Sequence, residues 1–586
     1  MYLSRRQFIS LLNAAACAGI LPYTKGLHAS KFPGLYEVPN YGDMRLLHFT
    51  DCHAQLLPVY FREPNVNIGI GEAKGKVPHL VGEHLLNRFN IDKSDQLAAH
   101  AFTYLNYVDA AKKFGKVGGF AHLSTLIKKL RQEFGENKTL LLDGGDTWQG
   151  SGTAYWTRGK DMVGACNMLG VDIMTGHWEF TYQDKEVLEN INLFNGEFVA
   201  QNVKLTEDGL FEEQPSFDED TGHVFKPYTI KELNGVPVAV IGQAFPYTPI
   251  ANPKRFIPYW SFGIRDDELQ QIIDHIIENE KPAAIVLLSH NGMDVDLKLA
   301  SRVTGLTAIF GGHTHDGVPN AIEVQNSGGI TLVTNAGSNG KFVGVMDFKV
   351  KKNKVTGYQY KLVPVFSNLI DPDPEMTAYI NNVREPHLAK LEEKLGATDT
   401  LLYRRGNFNG TFDQVVCDAM REQLDSQISL SPGFRWGVSV LPGQEITMEH
   451  VLTQTCMTYP ETYVRDMRGE DLKLILEDVC DNLFNPDPYY QQGGDMVRLG
   501  GLNYVCDPLE KIGKRITDMT LDNGEKVEAN KSYKVSGWAT VGAKAEGSPI
   551  WDVVAEYIRE HKNIKVTSLN TPKLKNMDDN PGVAYS

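Results

Sequence analysis

The sequence predicts a layered α/β fold in two units, a larger amino-terminal one and a smaller carboxy-terminal one. Three observations predict it: the length, an alternation of short aliphatic runs with amphipathic segments in the first half, and a proline-rich break near residue 371. At 586 residues the chain exceeds what one hydrophobic core normally supports and leaves room for two to four domains. Hydrophobic residues make up 42% and charged residues 22%, close to an ordinary globular protein rather than a disordered or membrane one. No internal stretch is long and apolar enough to span a bilayer. The 73 acids against 58 bases give a formal charge of −15, which argues against a protein that binds the phosphate backbone of nucleic acid. An acidic multidomain enzyme is the class that remains.

The elements follow in order. Ser4-Arg5-Arg6-Gln7-Phe8-Ile9, an apolar run from Leu11 to Leu21 and Leu27-His28-Ala29 have the order of a twin-arginine export signal over residues 1–29. Its removal takes out Arg5, Arg6 and Lys25 but no acid, so the formal charge of the mature chain becomes −18. Export predicts a periplasmic protein. Six cysteines remain without a CxxC, and a core this large needs no staples, so mostly free, buried thiols are expected. Arg45–Phe49, Thr139–Leu142, Ala283–Leu288 and Ala308–Phe310 are short, aliphatic and bounded by turn residues, as strands buried on both faces should be. Phe120–Phe134 and Asp266–Glu280 have helical spacing. Residues 30–372 are therefore read as the first domain, 373–396 as a solvated connecting helix and 397–586 as the second α/β domain. Gly69-Ile70-Gly71 lacks both a preceding strand and the GxGxxG spacing, so it reads as a flexible surface insertion rather than a nucleotide loop.

The residues that carry chemistry sit at the ends of the aliphatic runs. Asp51-Cys52-His53 follows the first, Gly144-Gly145-Asp146 the second and Gly176-His177-Trp178-Glu179 a short run ending at Met174. Ser289-His290-Asn291-Gly292 and Gly311-Gly312-His313-Thr314-His315 follow the next two. Ligands of α/β sheets gather beyond the carboxyl ends of strands, so these motifs can converge on one crevice. Asp51, Asp146, His53, His177, His290, His313 and His315 would then offer two carboxylates and five imidazoles. That set is too rich for one four-coordinate ion. Two divalent ions about 3.5–4 Å apart, sharing a carboxylate, explain it and can activate a water between them. Asp146, on a glycine-rich turn, is the candidate bridge. Imidazole and carboxylate donors without thiolate point to manganese, iron or zinc rather than to a structural zinc knot.

Taken together, the ordered Asp-x-His, Gly-Asp, His-x-Glu, His and Gly-His-x-His motifs resemble those of calcineurin-like metallophosphoesterases, and the whole two-domain chain is similar to the 5′-nucleotidase group. The resemblance implies a layered αββα metallophosphoesterase domain followed by a smaller α/β 5′-nucleotidase-type domain. In the second, Arg404–Asp418 and Gly493–Asp507 resemble the group's substrate loops, and Ser431-Pro432-Gly433-Phe434-Arg435 echoes its Asn-x-Gly-x-x-Arg loop. One metal would take Asp51, His53, Asp146 and His315, and the other Asp146, His177, His290 and His313. The departure is Trp178. Where the group has Asn-His-Glu, this chain reads His177-Trp178-Glu179, which resembles the thiosulfohydrolases of the Sox sulfur-oxidation pathway. That likeness implies a dimanganese hydrolase, a monomer, that removes the terminal sulfonate of a cysteine S-thiosulfonate on a SoxYZ-type sulfur-carrier protein and releases sulfate. Asp146, His313, Trp178 and Arg435 are its implied catalytic residues. A persulfide is a far less basic leaving group than an alkoxide, since an ordinary thiol has a pKa of about 8.5, so losing a proton-donating histidine at 178 costs sulfur chemistry less. The alternative is a periplasmic 5′-nucleotidase, which should carry histidine there and a base-stacking pair in the second domain. A binding protein that kept the fold should have lost a ligand, and none is missing.

Overall fold

The computed structural model describes residues 34–542 and 544–584; the export signal expected over 1–29 lies outside them. In the first half two six-stranded mixed sheets stack face to face. One sheet runs, edge to edge, through Val355–Pro364, Phe342–Val350, Met44–Phe49, Thr139–Asp143, Ile173–Met174 and Glu197–Phe198. The other runs through Ile322–Asn326, Gly329–Asn335, Ala308–Gly311, Ala284–Ser289, Val236–Gln243 and Tyr228–Leu233. Strand alternation explains why the aliphatic runs are continuous. Leu46, Leu140 and Leu142 face inward onto Val240, Val286, Leu288 and Phe310 of the opposite sheet. Leu47, Phe49 and Leu141 face outward, where Leu123, Leu126, Ile127 and Leu130 of helix Phe120–Phe134 cover them. Helices Asp266–Asn279 and Met293–Arg302 cover Ala239, Ile285, Leu287 and Ile309 in the same way. Four layers, helix, sheet, sheet, helix, are the result.

Register brings the motifs together. Phe49 pairs with Asp143, Asp143 with Met174, Gln243 with Ser289 and Ser289 with Gly311, so the carboxyl ends of these strands stop in line within each sheet. The five motifs begin at the next residues.

Beyond residue 372 the expected connecting helix over 373–396 is shorter and less solvated than its spacing suggests. Asp373 caps helix Pro374–Arg384, a 3-10 turn carrying Pro386 follows, and a last turn ends at Leu391. Proline interrupts the helical hydrogen bonding, and Lys394–Thr398 instead pairs as a strand with Glu445–Thr447. Met376, Ile380, Arg384 and Leu391 are buried. The second half holds a four-stranded sheet in the order Thr462–Arg468, Ser532–Trp538, Ile428–Ser431 and Arg498–Gly500, with helices Thr411–Gln423, Met448–Thr455, Gly469–Phe484 and Ile550–His561. Ser431 pairs with Arg498, so the loops 432–436 and 491–497 leave the sheet side by side toward the first half.

Gly69-Ile70-Gly71, read as a flexible surface insertion, is tied down at its first residue while Gly71 is exposed, and the chain just before it is packed. Asn67 N donates to Gly582 O at 2.7 Å, Ala584 N to Asn65 O at 2.9 Å and Ile68 N to Asn407 Oδ1 at 2.7 Å. It thus grips both the carboxy-terminal tail and the second half. Gly69 is buried against His79, where a Cβ would stand 2.6 Å from the histidine's own Cβ.

Candidate metal centre

All seven predicted ligands meet at the carboxyl edge of the two sheets. One atom from each of Asp146, His177, His290 and His313 lies within 4.8 Å of the others, and the same holds for Asp51, His53, Asp146 and His315. Asp146 belongs to both groups. Its Oδ2 is 3.0 Å from His290 Nε2, 3.3 Å from His177 Nδ1 and 3.7 Å from His53 Nε2. Asp51 Oδ1 is 3.2 Å from His315 Nε2, and the Nε2 atoms of His53 and His315 face each other at 3.1 Å.

Every one of these side chains is buried. His290 Nε2 and both ring nitrogens of His177 and His313 have no hydrogen-bond partner. Buried polar atoms are normally paired, so such a concentration of orphaned donors fits two dications. Burial holds His313 and His315 well below the usual histidine range and His53 at about 4, which keeps them in the neutral, ligating form. Burial pushes Asp146 up, but His290 and His177 outweigh it and hold the carboxylate well below its ordinary range. Burial also lowers His290, yet Asp146 and Asp51 dominate and raise it to about 10.

A second ring of groups aims the first. His290 Nδ1 donates to Gly144 O at 2.6 Å, which fixes the tautomer and leaves Nε2 toward the carboxylates. His313 N donates to both Asp51 oxygens at 3.0 and 3.1 Å, and Thr50 Oγ1 donates to Oδ2 at 2.6 Å. Glu179 accepts from the backbone N–H groups of Thr147 and His177 at 2.8 Å and of Asp146 and Trp148 at 3.2 Å, tying two ligand loops together. Backbone strain concentrates here as well. Asp51, His53, Asp146, His313 and His315 have φ between +44° and +72°. Non-glycine residues rarely adopt this region, and runs of them mark functional sites.

The second half closes the centre. A cavity of about 220 Å³ is walled by His53, Asp146, His177 and His313 on one side and by the loops 432–436 and 492–495 on the other. Phe434 stacks on Trp436 at 4.0 Å, and Trp436 stacks on His53 at 5.1 Å. Trp178 meets Phe434 and Trp436 edge-on at 5.5 and 5.3 Å, while its backbone N donates to Asp146 Oδ1 at 2.8 Å. Arg435 is half-buried at the cavity edge, its Nη2 donating to Gly494 O at 2.8 Å and its Nε lying 3.6 Å from Asp495.

Residues 393–555 match the family described as 5′-nucleotidase, C-terminal domain. A solved structure of the sulfate thiohydrolase SoxB from Thermus thermophilus is 33% identical, covers 92% of this chain and 98% of its own, and superposes with a TM-score of 0.84. This chain is a hydrolase of the 5′-nucleotidase family of metallophosphoesterases. A 5′-nucleotidase precursor from the same species, Thermus thermophilus, 20% identical over 91% of this chain and 99% of its own, shares the family fold with a TM-score of 0.70. Rat 5′-nucleotidase is 25% identical over 468 residues, 72% of this chain and 76% of the relative. The trifunctional nucleotide phosphoesterase YfkN of Bacillus subtilis is 26% identical over 472 residues, 74% of this chain, which spans about a third (31%) of that protein's length.

Within this family fold, several groups at the site escaped motif reading. Glu179 lies inside a recognised motif, but its bridging of two loops shows only in three dimensions. Phe245 stacks on His313 at 4.1 Å, and Gly493 lies so close that a Cβ would stand 2.3 Å from His313 Nε2. Arg405 Nη2 donates to Thr314 O at 2.7 Å behind the ligand loop. No local pattern marks Phe245 or Trp436, whose histidine partners, His313 and His53, are far away in sequence. Cys52, between two ligands, packs in the apolar core instead, and burial raises its thiol well above the ordinary range. The six cysteines of the described residues are free and buried, as composition suggested.

Proposed function

We propose that the protein is a thiosulfohydrolase that removes the terminal sulfonate from a cysteine S-thiosulfonate carried by a SoxYZ-type protein. The observation that carries the reading is Trp178, with its aromatic wall, at the position where nucleotidases use histidine. Phe434 stacks directly on Trp436, so the pair leaves no slot between them for a nucleobase. A slender sulfane chain needs none.

Asp51, His53, Asp146 and His315 would hold one dication, and Asp146, His177, His290 and His313 the other. Two bound dications would lower the pKa of a water and neutralise oxyanion charge. The residues then divide the remaining work. Glu179 and Gly144 hold the ligand loops in register, so little reorganisation is needed on binding. Arg435, anchored by Gly494 O, brings a fixed guanidinium to the cavity edge, where the sulfonate oxygens would lie. Trp178, Phe434 and Trp436 exclude water from one wall and strengthen these electrostatic contacts. No proton donor stands at 178, which suits a persulfide leaving group.

Manganese as the metal, a monomeric state, export through the twin-arginine leader and residence in the periplasm belong to the same proposal. Among the described residues no helix is long and apolar enough to cross a membrane. Nucleotide hydrolysis is the second reading, favoured by the match of residues 393–555 and by nucleotidase relatives. The test offers the manganese-loaded protein a carrier-bound cysteine S-thiosulfonate and, separately, adenosine monophosphate. Sulfate release is expected. Fast phosphate release with no sulfate would overturn the proposal in favour of the nucleotidase.

A further inference from the structure

Behind the ligand loop lies a second cavity of about 50 Å³. It shares His313, Arg435, Asn482 and Gly493 with the front cavity, so the two meet around the His313 ring. Its lining is more polar. The front wall is largely aromatic, whereas the rear wall carries Asn67, His79, Asn291, Asp294, Asp316 and Arg405. Two buried atoms there, Arg405 Nε and Asp316 Oδ2, have no hydrogen-bond partner in the protein. Asp316 and Arg405 are 8% and 4% exposed, so bulk solvent does not satisfy them. Arg405 Nη2 is paired, with Thr314 O at 2.7 Å and with Asp316 Oδ1 at 3.4 Å, and on the same lining His79 Nε2 lies 2.8 Å from Asp294 Oδ2. Buried orphaned polar atoms on residues that line a partly polar void call for water, and at ~10–15 Å³ each about four waters fit.

We propose that this rear cavity is a water-filled back door that supplies the metal site while the front cavity is plugged. The inference rests on the thiosulfohydrolase reading, because only a substrate tethered to a carrier would stopper the front. Each turnover, RS–S–SO₃⁻ + H₂O → RS–S⁻ + SO₄²⁻ + 2H⁺, breaks one S–S bond and consumes one water. A front mouth walled by Trp178, Phe434 and Trp436 and filled by the carrier arm admits none. The rear cavity reaches the same imidazole from the other side. It is too small to pass a carrier and polar enough to stay wet. The segment between Asp51 and Asp146 supplies part of its wall through Asn67, Ile68 and His79, which gives that packed segment a role.

The test fills the cavity from two sides. Val295, on helix Met293–Arg302, and Ile68 both line it, are buried and lie outside the ligand set. Val295→Phe and Ile68→Phe are each expected to slow sulfate release from the carrier-bound substrate about tenfold. Release from free cysteine S-thiosulfonate, which leaves the front wet, should change less than twofold. Two variants guard against one failing to fold, and circular dichroism and metal content check both. A high-resolution crystal structure of the wild type supplies a readout independent of turnover: ordered waters bonded to Arg405 Nε and Asp316 Oδ2. A dry cavity, unchanged carrier turnover in both variants, or equal loss with both substrates overturns the back door. If the wild type releases no sulfate from the carrier, the thiosulfohydrolase reading itself falls.

Discussion

Gly493 offers the most direct test of whether the second half completes the metal centre. Its φ of +81° lies in the left-handed region, and a Cβ there would sit 2.3 Å from His313 Nε2. Alanine therefore faces two penalties. The backbone conformation costs roughly 1–2 kcal/mol for an L-residue. The contact must also open to at least 3.0–3.4 Å, so the loop or the imidazole must move by about 1 Å. The loop is the softer partner, because His313 is held through its backbone N to Asp51 and by Phe245 stacked on its ring. A 1 Å displacement of Gly494 and Asp495 carries Arg435 with it, since Arg435 is bonded to Gly494 O. Misplacement on that scale costs a catalytic arrangement on the order of 10²-fold. Gly493→Ala should thus lower kcat/KM for sulfate release about 100-fold with metal content unchanged. Steady-state kinetics and elemental analysis on the same preparation measure both. Activity within threefold of wild type would refute the close approach of Gly493 to His313, and lost metal would show that the imidazole moved instead of the loop.

Asp146→Asn removes the carboxylate common to both ligand groups, so metal content should fall from two ions to one or none per chain by elemental analysis, while Asp51→Asn should lose only one. Glu179→Gln keeps the shape but loses the charge that four backbone N–H groups point at; metal affinity should weaken roughly 10–100-fold in a chelator competition, with no change in the ligands themselves. Trp178→His restores the histidine of the nucleotidases, and phosphomonoester turnover should rise at least tenfold relative to sulfate release; a fall in both would mean that Trp178 only packs the wall. His48 is wholly buried with neither ring nitrogen bonded, and burial lowers it to about 3. The unfolded chain takes up that proton near pH 6.5 and the folded one does not, so the contribution is complete above 6.5 and is lost as pH falls toward 3. Replacing His48 by Leu should make the stability gap to wild type shift in the variant's favour by up to ~2–3 kcal/mol between pH 6.5 and 4.5, read from urea midpoints. A pH-independent gap would contradict the buried neutral histidine.

How much of this was legible in the sequence follows from which interactions are local. The aliphatic runs announced strands because both faces of each sheet are covered, Leu46 by the opposite sheet and Leu47 by a helix, so no polar alternation dilutes the signal. Each ligand motif starts where its strand stops, and the paired register of Phe49, Asp143, Ser289 and Gly311 turns that sequence position into spatial convergence. Helix Phe120–Phe134 was readable for the same reason, since one stripe is buried. Residues 373–396 misled because apolar spacing continued across Pro386, and spacing cannot see that Lys394–Thr398 finds a strand partner some fifty residues later. The packing around Gly69 was hidden because the partners of its neighbours Asn67 and Ile68, Gly582 and Asn407, belong to the far end of the chain. Positive φ at five ligands was equally hidden, for glycine would have signalled it and aspartate and histidine do not.

That strain bears on why an acidic protein can handle an anion. A net charge of −15 creates a repulsive field at long range, yet at physiological salt charges beyond about 8 Å are largely screened. What an anion would meet at the site is local: Arg435 and Arg405 behind and beside His313, and a pair of carboxylates bent inward among five imidazoles. The left-handed turns at Asp51 and Asp146 aim both carboxylates into the ligand groups, where two dications would carry four positive charges against two negative. The local sign is therefore reversed only when the metals are bound. Anion affinity should depend on metal occupancy far more than on ionic strength, and sulfate inhibition measured at fixed manganese across 50–300 mM salt should change by less than about threefold. A steep salt dependence would place the anion on the protein's outer field instead of in the centre.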